Sequence, residues 1–267
     1  MANDQQSYLP PYGPEATVYR RFIDGEPCWV EASVIDPVKS AEFYRQLFNW
    51  DSEALGPEFG NYTLLSYRGA TVGALGYAGP QQQPWWTPYF KTSDARALTQ
   101  RVETAGGSVD VPATEVPGVT IFAVCTAPDG AGFAVSQSDN EDMQLFRETG
   151  GVDSVTLLAD AAAAFDFYET VFGWELTSTD AGFRISAARS TLPFGDMHVM
   201  DPALRPAGAH PSWTVNFAVT NIEACAKLAA ELGAMVHIGP MTMPDGVRTA
   251  FLSDPDGAGF SIVEKGD

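Results

Sequence analysis

The sequence predicts an α+β fold of four βαβββ modules, arranged in two tandem pairs that form curved, cup-like mixed sheets. Two repeats indicate this architecture. The segment DPDGAGFSI at 254–262 nearly repeats APDGAGFAV at 127–135. In addition, Asp160 followed by FYETVFGW at 167–174 matches Asp36 followed by FYRQLFNW at 43–50, with the same distance from Asp to Phe. Repeats of this kind indicate copies of one structural unit.

Each DPDG or APDG segment predicts a tight hairpin turn, because Asp and Gly suit the turn positions and apolar runs stand on both sides. Each turn therefore belongs to the last hairpin of a module. Upstream of these hairpins, the first half of the chain reads twice as a strand, a helix and three strands. The predicted strands and helices of that half lie at 28–35, 38–48, 52–55, 62–67, 71–77, 86–92 and 93–105, with the last strands reaching residue 137.

The second half repeats this order, with helices predicted at 161–172 and 222–232. The predicted organisation is an N-terminal arm at 1–24, a first domain at 25–138, a linker at 139–150 and a second domain at 151–267. A single module cannot close its sheet or bury its open face, so modules must pair. Both a monomer with internal pseudo-symmetry and a homodimer satisfy this requirement.

Composition narrows the classes of partner. The chain has 267 residues, 45% of them hydrophobic, and a formal net charge of -19. Such a charge repels phosphate backbones and anionic lipid, so we expect neither nucleic acid nor a membrane as partner, and it favours a cationic ligand. The three cysteines are far apart, the polar segment 1–19 has no apolar signal core, and no apolar run reaches membrane-span length. We therefore expect a cytoplasmic protein.

The modules resemble those of the vicinal oxygen chelate superfamily, which includes glyoxalase I, extradiol dioxygenases and bleomycin-resistance proteins. The likeness rests on 36–50, on 160–174 and on the two Pro-Asp-Gly hairpins, and it extends from Pro27 to Glu264. It is greatest for two-domain, glyoxalase-like proteins of actinobacteria. The resemblance implies the cup-forming fold, but this superfamily contains both metal enzymes and metal-free binders, so fold alone does not give function.

The resemblance also implies where metal ligands would lie, in the first and last strands of the modules. The matching positions are Trp29, Thr87, Asp153 and Thr214 in first strands, Ala134 and Ser261 in last strands, and more loosely 75–76 and 197–198. A catalytic divalent metal needs three or more His, Glu or Asp ligands. The first half supplies none at the four matched positions, and the second supplies Asp153 and His198. We therefore expect no metal or other cofactor, with a divalent metal at Asp153 and His198 as the alternative.

Without a metal, the cups are predicted to bind a planar aromatic ligand through tryptophan rings, with hydroxyl groups orienting it. Strand alternation allows only one of Trp85 and Trp86 to face a cup, and it places Glu31 in the cup or in solvent. The predicted ligand-binding residues are Trp29, Trp86, Thr87, Asp153, His198, Trp213, Thr214 and Ser261.

The functional hypothesis is therefore metal-independent binding of a bulky aromatic, possibly cationic, natural product. Binding would serve antibiotic self-resistance by sequestration, or an accessory role in biosynthesis of a secondary metabolite. The alternative is a glyoxalase-like enzyme, either a metal-dependent lyase or dioxygenase, or a cofactor-free isomerase or cyclase with Asp153 as the catalytic base. A third interpretation, a protein-interaction scaffold with vestigial cups, predicts no small-molecule binding.

Overall fold

The computed structural model of the protein describes residues 22–79, 82–138, 145–161, 164–180, 182–200 and 210–264, apart from the side chain of Glu58. Most of the predicted arm at 1–24 and half of the predicted linker at 139–150 lie outside these residues. None of the helices described has the length and apolarity needed to cross a bilayer.

Four modules follow one another, each with a strand, a helix and three strands. Module one contains β1 (Pro27–Val34), α1 (Pro37–Phe48), β2 (Asp51–Ala54), β3 (Thr63–Tyr67) and β4 (Ala70–Tyr77). Module two contains β5 (Trp85–Lys91), α2 (Ala95–Thr104), β6 (Ser108–Val116), β7 (Thr120–Thr126) and β8 (Gly132–Gln137). Module three contains β9 (Val152–Ala159), α3 (Ala164–Phe172), β10 (Glu175–Thr179), β11 (Gly182–Ser186) and β12 (Gly195–Val199). Module four contains β13 (Ser212–Val219), α4 (Ile222–Glu231), β14 (Met235–Thr242), β15 (Arg248–Ser253) and β16 (Gly259–Glu264). The predicted fold class is confirmed.

Sheet pairing shows which modules combine. Strand β1 pairs with β5 in antiparallel fashion, and β4 and β8 flank this pair in parallel. Strands β9 and β13 pair in the same way, flanked by β12 and β16. Modules one and two therefore share one curved sheet, whose open face we call the first cup, and modules three and four share another, whose open face we call the second cup. The two sheets join through β16 and β5, where Gly259 pairs with Trp85, so the sixteen strands of the described residues form one continuous sheet.

The helix-covered faces of the two sheets share an aromatic core. Tyr44 and Trp86 of the first half pack against Phe217 and Phe260 of the second. The symmetry-related contacts join Phe90 and Phe133 of the first half to rings of the second half, namely Tyr168, Phe172, Trp174 and Trp213. Edge-to-face ring contacts of this kind add to the burial of apolar area. The helix side of each sheet is thus used for packing, and the partly exposed strand residues, such as Trp29 and Glu31, lie on the cup side.

One hydrogen bond of this core breaks the internal symmetry. Tyr44 accepts a hydrogen bond from Trp86 Nε1 at 2.7 Å and donates one to Asp254 Oδ2 at 3.0 Å. In the other half, Tyr168 accepts from Trp213 Nε1 at 3.0 Å, but Ala127 stands at the repeat position of Asp254. Burial raises the pKa of Asp254, so its carboxyl depends on its hydrogen bonds.

Replacing Tyr44 with Phe should lower the free energy of unfolding by about 1–3 kcal/mol, because it leaves the buried Trp86 N–H and one oxygen of Asp254 without partners. Tyr168→Phe should cost less, since it removes the partner of Trp213 alone. Urea denaturation followed by far-UV circular dichroism measures both values. Equal losses in the two variants would contradict a stabilising role for the Asp254 bond.

Candidate functional site

Four side chains at the centre of the paired strands β1 and β5 face the first cup. Trp29 and Glu31 alternate on β1 with fully buried residues that face the helices. Across the sheet, Tyr89 lies opposite Trp29 and Thr87 lies opposite Glu31. We refer to Trp29, Glu31, Thr87 and Tyr89 as the first-cup residues.

Three rings surround the carboxyl group of Glu31. Its Oε2 accepts hydrogen bonds from the hydroxyl groups of Tyr62, at 2.8 Å, and Tyr89, at 3.2 Å. Trp29 Nε1 in turn donates to the Tyr62 hydroxyl at 3.2 Å. We call Trp29, Tyr62 and Tyr89 the aromatic cage. The second oxygen, Oε1, receives no hydrogen bond from any described residue.

Space for this carboxyl comes from a glycine. A Cβ atom on Gly76 of β4 would lie 2.9 Å from Oε1 of Glu31, closer than such atoms normally approach. Any larger residue at this position would push the carboxyl out of its place. The absence of a side chain at Gly76 thus keeps Oε1 inside the cup.

Burial raises the pKa values of the acidic groups in and around the aromatic cage. Burial raises the pKa of Glu31, while the hydrogen bonds from Tyr62 and Tyr89 act in the opposite direction. Burial, followed by the charge of Glu31, raises the pKa of both tyrosines well above the ordinary value, so they remain neutral donors. No cation among the described residues contributes to the pKa of Glu31. The cage therefore holds a desolvated carboxyl group without a positive partner.

The second cup has different chemistry at the same sheet positions. Thr156 pairs with Thr214, and Asn216 pairs with Ser154 on one side and Ser261 on the other. Asn216 Nδ2 donates to Ser154 Oγ at 2.9 Å and to Thr156 Oγ1 at 2.8 Å. We call these five the second-cup residues; they are all hydroxyl or amide side chains.

Charged residues lie on one side of the second cup. On β12, Asp196 lies opposite Thr156 and His198 lies opposite Leu158. Burial raises the pKa of Asp196, whereas His198 and Arg184 lower it; Arg184 Nε lies 4.0 Å from the carboxylate. This edge of the cup can accept hydrogen bonds as well as donate them.

The structure agrees with some predicted site positions and corrects others. Trp29, Thr87, Thr214 and Ser261 lie on the cup faces of their strands, and His198 lies at the edge of the second cup; that they bind a ligand stays a prediction. The predicted placement of Trp86 and Trp213 in the cups is wrong. Both are fully buried on the helix side, because strand alternation turns their neighbours Trp85 and Thr214 toward the open face instead.

Asp153 requires a correction of a different kind. Ser154, rather than Asp153, lies opposite Asn216, because the chain from this position to Asp160 is one residue shorter than the chain from Trp29 to Asp36. The Asp153 carboxylate accepts a hydrogen bond from Ser154 Oγ at 3.1 Å, and its charge helps to raise the pKa of Asp196. It therefore lies beside the second-cup residues and supports one of them.

The main residues that the sequence did not reveal are Tyr62, Tyr89 and Asn216. Period-two alternation from Thr87 and Thr214 could have indicated Tyr89 and Asn216. Tyr62 precedes β3 and reaches Glu31 only through the curvature of the sheet, so no local signal marks it.

The donor set does not suit a divalent metal. Within the described parts of the chain, no three His, Cys, Asp or Glu side chains are grouped so that they could hold a metal ion. The first-cup residues include one carboxylate, and the second-cup residues include none. Asp153, Asp196 and His198 influence one another electrostatically without forming such a group.

A family model described as Glyoxalase/Bleomycin resistance protein/Dioxygenase superfamily matches residues 29–135 and 153–262. The chain is 38% identical over 264 residues to the anthracycline biosynthesis protein DnrV of Streptomyces peucetius, covering 91% of this chain and 94% of that protein. It is 36% identical over 267 residues to the anthracycline biosynthesis protein DauV of Streptomyces sp. strain C5, with the same coverage.

Among solved structures, the Mn(II)-bound glyoxalase from Novosphingobium aromaticivorans matches with a TM-score of 0.62 and 18% identity, over 90% of this chain and 82% of that one. This likeness concerns the fold alone. With the two matched regions spanning most of the sequence, the chain belongs to the Glyoxalase/Bleomycin resistance protein/Dioxygenase superfamily.

Proposed function

We propose that this protein binds a bulky, planar, aromatic natural product in the first cup without a metal, and that a cationic group of the ligand lies beside Glu31. The observation that carries the proposal is the aromatic cage around a carboxyl group, one oxygen of which accepts no hydrogen bond from the described residues. Rings on three sides suit a flat apolar ligand, while the carboxyl group supplies a single directional contact.

The energetics of Glu31 favour a positive ligand. A buried carboxylate is costly unless it is paired and hydrogen-bonded. Two neutral hydroxyls stabilise Oε2, but Oε1 has no donor among the described residues. An ammonium group would donate to Oε1, neutralise the charge and contact the faces of the surrounding rings as a cation–π partner. The net charge of -19 would also raise the local concentration of such a cation.

The relatives support a role in biosynthesis. DnrV and DauV are named as anthracycline biosynthesis proteins, and anthracyclines are fused-ring aromatic compounds. We propose that this chain is an accessory protein in a pathway of that chemical class and holds an aromatic intermediate or product. Self-resistance by sequestration would use the same binding step.

Aminomethylanthracene and hydroxymethylanthracene form a matched pair of probes, since both are planar and only the first is a cation at neutral pH. The protein should bind the cation more tightly in isothermal titration calorimetry. Glu31→Gln should weaken cation binding roughly tenfold or more, because hydrogen bonds to charged groups are worth about 1.5–3 kcal/mol. Binding of the neutral probe should change little.

Glu42→Gln is the control, because it makes the same change of net charge at an exposed position on α1. It should leave both affinities unchanged. If neither probe binds, the proposal fails. If both bind and Glu31→Gln weakens them equally, the aromatic part stands and the cationic part is wrong.

Cation binding should also weaken as the pH falls. The pKa of Glu31 is raised above its ordinary value of 4.5 by burial, so lowering the pH through the raised value neutralises the carboxylate that pairs with the ligand. The bound cation should in turn lower this pKa, so binding within that window releases a proton. Calorimetry in two buffers of different ionisation enthalpy measures the release. No proton release and a pH-independent affinity would contradict the role of Glu31.

A further inference from the structure

The second cup contains polar atoms whose hydrogen-bonding capacity is not used. The residues Thr214 and Ser261 are each 9% exposed, and their hydroxyl groups form no hydrogen bond with any described residue. Asn216, 4% exposed, uses Nδ2 twice but leaves Oδ1 without a donor. Sealed, unpartnered side-chain oxygens occur in the described part of the chain only at Asp129 and Thr220. The three free oxygens of the second cup are therefore open to it.

From this array we infer that the second cup is a separate binding site for a neutral, hydroxyl-rich ring such as a sugar. A hydroxyl group donates one hydrogen bond and accepts others, as the hydroxyls of a sugar do, and an amide oxygen accepts only. Thr214, Ser261 and Asn216 lie on neighbouring strands, so their free atoms form a continuous surface. Partly desolvated polar groups of this kind gain free energy when a ligand pairs with them.

Comparison of the two cups defines the class of ligand. By strand pairing, the positions of Trp29, Glu31, Thr87, Tyr89 and Ala134 in the first cup correspond to Ser154, Thr156, Thr214, Asn216 and Ser261 in the second. Each aromatic ring and the carboxyl group of the first set is replaced by a small neutral polar group. The second-cup residues thus provide neither a stacking surface nor a charge at these positions, and they suit a ligand that is recognised by hydrogen bonds.

Two neighbouring groups complete a site for a sugar. Asp196 lies opposite Thr156 and adds a carboxylate acceptor. At the other side, the ring of Trp85 covers Gly259, where a Cβ atom would lie 2.9 Å from it. Trp85 Nε1 is held by the carbonyl oxygen of Trp213 at 2.9 Å. Gly259 is on the same face of β16 as Ser261, so this ring from the first domain offers an apolar wall at the end of the array.

Saturation-transfer-difference NMR with a panel of neutral methyl hexosides tests the inference, and tetrahydropyran serves as the probe that keeps the ring but lacks hydroxyl groups. The protein should transfer saturation to at least one hexoside and little to tetrahydropyran. Thr214→Val and Ser261→Ala should each weaken hexoside binding at least threefold. Both variants should fold, because the hydroxyl groups that they remove have no hydrogen-bond partner among the described residues.

Thr220→Val is the matched control, since it removes an unpartnered hydroxyl group outside the cup, and it should leave hexoside binding unchanged. Thermal unfolding of all three variants identifies any loss of folding. No transfer to any hexoside, equal transfer to tetrahydropyran, or unchanged affinity in both cup variants would overturn the inference. Aminomethylanthracene should not displace the hexoside, so the result is independent of the outcome for the first cup.

Discussion

The antiparallel pairing of first strands, β1 with β5 and β9 with β13, is the constraint on which both cups depend. It places two residues from each strand on the open face at the centre of each sheet. Because alternate side chains must point to opposite faces, the same pairing commits Trp86 and Trp213 to the helix side. The side chains at the centre of each cup thus come from these few strand positions. A substitution at any one of them directly changes the chemical groups that the cup presents.

The helix side shows why those cup positions were free to diverge. Tyr44 and Tyr168 occupy equivalent places in α1 and α3, and each accepts a hydrogen bond from a buried tryptophan. The tryptophans pack on phenylalanines of the opposite half. Folding free energy comes mainly from apolar burial, and fully buried rings such as those of Trp86 and Trp213 lie on this helix side. Substitution of a cup residue therefore need not weaken the scaffold, and the two halves keep the same fold around different cups.

The fold was predictable from local signals, but the site was only partly so. Asp36 caps α1, and Asp-Gly forms a tight turn wherever the rest of the chain lies, so the repeat was visible in the sequence. The face on which a residue lies depends on strand register, and a one-residue change in the length of a connection moves every strand residue before it by one position. The connection from β9 to Asp160 is one residue shorter than that from β1 to Asp36, so Ser154 takes the position predicted for Asp153. Tyr62 meets Glu31 across 31 residues of chain, and contacts of that kind follow only from the closed sheet.

The two cups differ in which polar groups are left without a partner among the described residues. This difference indicates which kind of ligand would bind to each cup with a gain in free energy. In the first cup, one oxygen of the partly buried Glu31 carboxyl group has neither a donor nor a neighbouring cation among the residues that the structure describes. In the second, the hydroxyl groups of Thr214 and Ser261 and the amide oxygen of Asn216 have no hydrogen-bond partner among those residues. An unsatisfied charge is compensated best by an opposite charge, and an unsatisfied hydroxyl by another hydroxyl. A ligand that suits one cup therefore leaves the polar groups of the other cup without partners. Recognition of a molecule that has both a cationic aromatic part and a hydroxyl-rich part would require the two cups together.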